Sequence, residues 1–276
     1  MTASTDFPAI AGLSQIAGHY DVVFCDVWGV IHNGKQHFPQ ACAALQAYRR
    51  QGGKVVLVTN APRPFPPILE QLASLGVPRE AFDELVTSGD VTLALIAARG
   101  NAPVYHIGPQ RDLSLFEILR ETTGLQPPLA GPQDAEYVVC TGPFRDEETP
   151  ADYEDQLQAL RARGIDFISA NPDIVIHRGE QLIYCSGALA QRYEQIGGRT
   201  IQAGKPFAPI YERALQVAEK LRGEAVRFLN SADVKKRFAE QGAEVTTTTP
   251  DELNRFVASE KAKFVRLVKE HNIKVD

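Results

Sequence analysis

The stretch Asp21-Val22-Val23-Phe24-Cys25-Asp26-Val27-Trp28-Gly29-Val30 decides the fold. Asp21–Asp26 (DVVFCD) is a short apolar run, as a buried strand of a parallel sheet would be. It ends on a carboxylate, Asp26, and the glycine three residues on, Gly29, lets the chain turn closely. Working outward, Phe38–Gln51 reads as a helix with Ala41, Leu45 and Tyr48 on one side, stopped by Gly52-Gly53. Lys54–Asn60 (KVVLVTN) is a second buried strand, and Pro64–Leu75 a helix with prolines in its first turn. This β-α-β-α order predicts a doubly wound α/β sheet.

The alternation continues. Helices are expected over Asp90–Arg99, Leu113–Thr122, Asp152–Arg163 and Gly187–Ile196, and strands over Pro103–Ile107, Tyr137–Cys140, Asp166–Ala170 and Thr200–Ala203. Asp173–Ile176 and Gln181–Cys185 flank a hairpin turn. In the tail, Ala225–Leu229 and Ala243–Thr247 read as strands and Val234–Gln241 as a helix. Thr249-Pro250-Asp251-Glu252 has the form of a capped helix start, followed by an apolar face of Leu253, Phe256, Val257, Phe264, Leu267 and Val268.

Composition bounds the function. The chain has 276 residues, 44% hydrophobic and 23% charged, with a net charge of −5. It is too apolar for a disordered chain and too acidic overall for a general nucleic-acid surface. No run of about 18 apolar residues predicts a membrane span, and no export signal is visible at Met1–Ile10. Cys25, Cys42, Cys140 and Cys185 lack CxxC spacing and read as reduced thiols, so a cytoplasmic location is expected. Charge usage shifts near Arg222: 15 Arg and 4 Lys stand against 25 acids before it, 4 Arg and 6 Lys against 9 acids after it.

Ligands of open α/β sheets bind beyond the carboxyl ends of the strands. Three features fall there: Asp26, then Thr59-Asn60, then Gly204-Lys205-Pro206. A carboxylate can act as a nucleophile, a hydroxyl and an amide can hold phosphate oxygens, and a lysine can neutralise a transferring phosphoryl group. Each has a plain structural reading too: a strand stop, a turn start, a solvated loop lysine.

Taken together and in this order, these residues resemble the haloacid dehalogenase superfamily, class IIA, whose members are phosphatase-like hydrolases. Asp26–Gly34, Thr59-Asn60-Ala61, Thr87-Ser88-Gly89, Asn171-Pro172-Asp173 and Gly204-Lys205-Pro206 carry the resemblance, over about residues 20–222. It implies a Rossmann-like core, residues 1–86 and 186–276, with an αβ cap of the C2 type inserted at 87–185. It implies Asp26 as the nucleophile that becomes an aspartyl-phosphate, with Lys205 assisting. Val27, Trp28, Thr59, Asn60 and Lys205 would hold the phosphoryl group, and Mg²⁺ would sit on Asp26, the Trp28 carbonyl and Asp233. A small phosphorylated substrate is implied, as is a homodimer through the cap. His177, Arg178 and Asp173 are candidates for substrate choice.

Two departures bear on activity. Trp28 stands where the family usually has an acid–base Asp, a contribution worth about 10²–10⁴-fold. His32 is the nearest alternative. In the metal motif, Asp233 is followed by Lys235, Lys236 and Arg237, poor neighbours for Mg²⁺, and its other reading is a helix-start acid. A non-catalytic phosphate-binding module on the same fold is therefore the alternative function. From about Asn230 the tail resembles the C-terminal end of periplasmic tricarboxylate-type solute receptors, without their ligand-binding lobes.

Overall fold

The computed structural model describes residues 10–178 and 181–240, together with Val245, Thr247, Glu252, Arg255 and Ser259. Two compact units divide the chain, Met1–Ala218 and Glu219–Asp276. The first unit opens with β1 (Val22–Cys25), α1 (Pro39–Arg50), β2 (Lys54–Thr59), α2 (Phe65–Ser74), β3 (Glu84–Thr87) and α3 (Ser88–Ala97). β1 and β3 both pair with β2 in parallel, giving the order β1-β2-β3. β2 is central and almost wholly buried, as its unbroken Val-Val-Leu-Val run requires. Leu45 and Tyr48 of α1 and Ile68 and Leu72 of α2 pack on it with Val55 and Leu57.

A second parallel sheet follows: β4 (Val104–Ile107), α4 (Ser114–Thr123), β5 (Tyr137–Cys140), α5 (Glu154–Ala162) and β6 (Asp166–Ser169). Next come the antiparallel hairpin β7 (Val175–Arg178) and β8 (Gln181–Tyr184), then α6 (Ser186–Gln195) and β9 (Thr200–Gln202). The strand order is β4-β5-β6-β9. Side chains of β5 alternate between two cores: Val138 and Cys140 join Leu157, Phe167, Leu189 and Tyr193, while Tyr137 and Val139 join Ile96, Leu115 and Leu119. Both faces are thus covered by helices. The sequence reading closes the inserted segment at Cys185, whereas α6 and β9 pack into this second sheet and carry it to Gln202.

The first unit runs on into α7 (Ala208–Leu229), which crosses into the second, and the second holds α8 (Ala232–Glu240). Here the structure corrects the reading. Ala225–Leu229, expected as a strand, is the end of α7. A five-residue, mostly apolar segment (Ala-Val-Arg-Phe-Leu) cannot be told from a helix segment by periodicity alone, and the preceding Glu219-Lys220-Leu221-Arg222 are strong helix formers. The helix carries on through Gly223, and Asn230 closes it by donating its Nδ2–H to the Val226 carbonyl at 3.0 Å. Most of Ala243–Thr247 and of the Thr249-Pro250-Asp251-Glu252 helix, with the apolar face from Leu253 to Val268, lies outside the described residues. Among the described residues no helix is long and apolar enough to cross a membrane.

The second sheet carries a pH-sensitive histidine. His106 on β4 has its Nε2 3.1 Å from the Thr141 hydroxyl and its ring edge-on to Phe116. Burial lowers its pKa to about 4. The neutral ring therefore supports the fold fully above pH 6.5, and this support is lost as pH falls through about 4. The expected size is on the order of 3 kcal/mol across that window. Thermal unfolding measured between pH 7.5 and 4 is expected to show this loss, and the His106→Asn variant a flatter profile.

Candidate functional site

β1 and β2 deliver Asp26 and Thr59-Asn60 to the same sheet edge, because their register is parallel and Cys25 lies beside Leu57. The loop after β9 reaches that edge from the other direction. Lys205 Nζ forms an ion pair with Asp26 Oδ1 and donates to the Val58 carbonyl at 3.0 Å. The pairing is held from behind by Asn60. Its Oδ1 accepts the Lys205 backbone N–H at 2.6 Å, and its Nδ2 donates to the Lys205 carbonyl at 3.1 Å and to Asp173 Oδ1 at 2.9 Å. The amide has two N–H groups and both are engaged. Asn60, expected to hold a phosphoryl group, here hydrogen-bonds the Lys205 backbone and Asp173. Gly204 is part of this fit: a Cβ there would lie 2.4 Å from Asn60 Oδ1 and 2.7 Å from Pro172 Cδ. Thr59 is buried beside it, its hydroxyl accepting the Ala61 N–H at 3.3 Å.

The loop after Asp26 is a tight turn. Ile31 N–H donates to the Val27 carbonyl and Gly29 N–H to the His32 carbonyl, each at 2.8 Å. The Val27 N–H donates to Asp26 Oδ1 at 2.8 Å, which fixes the carboxylate. The Trp28 N–H meets no protein acceptor among the described residues. The Trp28 indole stands edge-on to the His32 ring at 5.2 Å between centroids. It also covers Gly34, where an added Cβ would lie 2.6 Å from the indole and where φ is +84°. Glycine is required there on both counts.

His32 is buried and its Nδ1 accepts the Gly34 N–H at 3.0 Å. Its one ring proton is then on Nε2. Burial lowers its pKa, with the nearby Asp26 charge acting against that. A ring locked in this tautomer is a hydrogen-bond donor. It is a poor proton shuttle, because taking up a second proton costs the Gly34 bond. Cys25, beside the carboxylate, is no alternative nucleophile: burial first, then the Asp26 charge, push its thiol up to about 11.

These residues line a cavity of about 930 Å³ within the first unit. Its other walls come from the hairpin, with Asp173, His177 and Tyr184, and from a cluster the sequence reading missed: Arg63, Arg111 and Asp112. Asp112 is 3% exposed. Arg63 Nε and Arg111 Nε lie 4.0 and 3.9 Å from its Oδ1. Burial pushes its carboxyl up, against a hydrogen bond from Thr141 and the two guanidinium charges. Nothing local marks these residues in sequence, since they converge from different elements. Arg178 ends β7, and its side chain is outside the described set.

Asp233 lies in the second unit, in the first turn of α8, where it suits the positive helix end and pairs with Arg237 at 3.2 Å. These contacts fit the helix-start reading. Among the described residues no group of three or more His, Cys, Asp or Glu side chains is placed to hold a metal ion. Asp26 and the Trp28 carbonyl are oxygen donors of the hard kind Mg²⁺ takes, but the one carboxylate is already paired with Lys205. The donor set on this loop falls short of the implied Mg²⁺ site.

Comparison with known proteins follows the same lines. The haloacid dehalogenase-like hydrolase profile matches residues 23–120. The 5'-nucleotidase YutF of Bacillus subtilis (strain 168) is 26% identical over 200 residues, 72% of this chain and 74% of that protein. A glycerol phosphate phosphatase from Mycobacterium tuberculosis shares the fold at 23% identity and a TM-score of 0.56, over 73% of this chain and 58% of that one. Its crystal structures hold calcium or magnesium. A hydrolase of the haloacid dehalogenase-like family from Brucella suis 1330 is 50% identical, with a TM-score of 0.72, over 79% of this chain and 80% of that one. With that identity over most of both chains, and with a carboxylate, a threonine and a lysine gathered at one sheet edge, the chain belongs to the haloacid dehalogenase-like hydrolase family.

Proposed function

We propose that the chain hydrolyses a small phosphorylated metabolite through an aspartyl-phosphate on Asp26. The observation that carries this is the Asp26–Lys205 pair at the strand ends, held by Asn60 across the fold and opening on a cavity large enough for such a substrate. In the first step an Asp26 carboxylate oxygen attacks phosphorus, the bond from phosphorus to the leaving oxygen breaks, and the leaving group takes the electron pair. Lys205 offsets the phosphoryl charge, with the Trp28 N–H and the Thr59 hydroxyl as further donors. Water then displaces Asp26 and releases phosphate. The second parallel sheet with its hairpin acts as the cap, and α6 and β9 belong to it in this reading. A divalent metal is suggested by the calcium- and magnesium-bound structures of the glycerol phosphate phosphatase, while the donors on this loop fall short of holding Mg²⁺. Four free cysteines fit a cytoplasmic setting.

A second reading is favoured by Trp28. The position holds an indole packed between His32 and Gly34, and His32 is locked as a donor, so this loop offers no acid to protonate a leaving group. A phosphate-ligand-binding module without turnover uses the same Lys205 site.

Acid-quench labelling with a phosphoester panel separates the two readings. Hydrolysis predicts phosphate release and a label on Asp26, both lost in Asp26→Asn; ligand-induced thermal stabilisation with neither supports the binding module. Trp28→Asp is expected to raise turnover of alkyl phosphates by about 10²-fold or more, measured as initial rates with circular dichroism as the check on folding. Gly204→Ala is expected to push Asn60 off Lys205 and weaken inorganic phosphate binding about tenfold, read by calorimetry.

A further inference from the structure

The cavity wall made by Arg63, Asp112 and Arg111 has no task in the chemistry above. Arg63 follows the Thr59-Asn60 strand end and is steadied by Gln71, whose Oε1 accepts from its Nη2 at 2.9 Å. Arg111 and Asp112 lie just before α4, in the second sheet's half of the unit. The three come together only in the fold. Their contacts are long: 4.0 and 3.9 Å from the two guanidinium nitrogens to one carboxylate oxygen, beyond hydrogen-bond reach. The Asp112 side chain is 95% buried, by its 5% exposure, yet no guanidinium closes on it. Two cations face a single carboxylate, whose pKa burial pushes up. The other charged groups near Asp112 add no cation: His106, reached through Thr141, is kept neutral by burial, and the Cys140 thiol is pushed up. Arg63 and Arg111 bring two positive charges against the one carboxylate of Asp112, with guanidinium N–H groups available on a cavity wall that Asp146 and Asp173 also line.

We propose that Arg63 and Arg111, on either side of Asp112, form a subsite for a carboxylate on the non-phosphate part of the substrate. The substrate class is then a phosphorylated carboxylic acid. One carboxylate would balance the excess charge, and a guanidinium matches it in two parallel hydrogen bonds. Arg63 comes from the β2 end and Arg111 from the second sheet, so a ligand between them joins the two halves of the cavity. This inference rests on the reading of the Asp26–Lys205 site as the phosphate end.

The test is calorimetric binding of straight-chain carboxyalkyl phosphates of two to six carbons, each against the alkyl phosphate of equal length, with inorganic phosphate as reference. At one chain length the carboxylate is expected to tighten binding at least tenfold. Arg111→Gln and Arg63→Gln should each bring that ratio down toward one, and Asp112→Asn should raise it. A ratio near one at every length, or one unmoved by both arginine variants, overturns the subsite while phosphate binding stands. If inorganic phosphate itself fails to bind, or binds equally well to Lys205→Ala, the reading of the phosphate end fails and the subsite with it.

Discussion

The site depends on one side-chain amide. Asn60 ends the central strand of the first sheet and clamps the backbone of Lys205 with its oxygen and one of its N–H groups, while the other holds Asp173. Without that clamp the lysine is a mobile four-carbon chain on a surface loop. With it, the Lys205 backbone is fixed, and the ammonium end is held by Asp26 and the Val58 carbonyl. Gly204 has no side chain because the clamp leaves no volume for one. The same amide ties the loop after β9 to Asp173, at the start of the hairpin.

A second constraint is the turn after Asp26. Trp28, His32 and Gly34 form one packed unit in which the indole takes the space an acid side chain would need. The backbone N–H of Gly34 takes the imidazole nitrogen that a proton shuttle would need. Both features leave the carboxylate, the lysine and the threonine in place. The geometry supports phosphate capture more fully than leaving-group protonation, which is why substrate chemistry and Trp28 are tied together.

Much of the fold was legible along the chain. Val55–Val58 is apolar without interruption because it is the buried middle of the central strand; Val22–Cys25 carries the same local pattern but ends the order β1-β2-β3, is only partly buried and leaves Phe24 exposed. Asp26, Thr59 and Lys205 were legible because strand ends place residues predictably. Asn60 was found, but its work was not: an amide's partners depend on what the fold brings within 3 Å. Ala225–Leu229 belongs to a helix and not to a strand, because a short segment of mixed Ala, Val, Arg, Phe and Leu suits either one and the residues before it decide.

The sequence by itself determined the alternation of strands and helices, the carboxylate at the first strand end, and the absence of an acid two residues beyond it. These follow from residue type and spacing, which the backbone converts directly into faces and edges. Only the tertiary structure decided that Asn60 serves Lys205, that His32 is locked as a donor, and that Asp233 pairs with Arg237 in the second unit. It alone also brought Arg63 to Arg111 and Asp112. Those outcomes are set by distances between residues far apart in the chain, and hydrogen bonds and charges act only over a few ångströms.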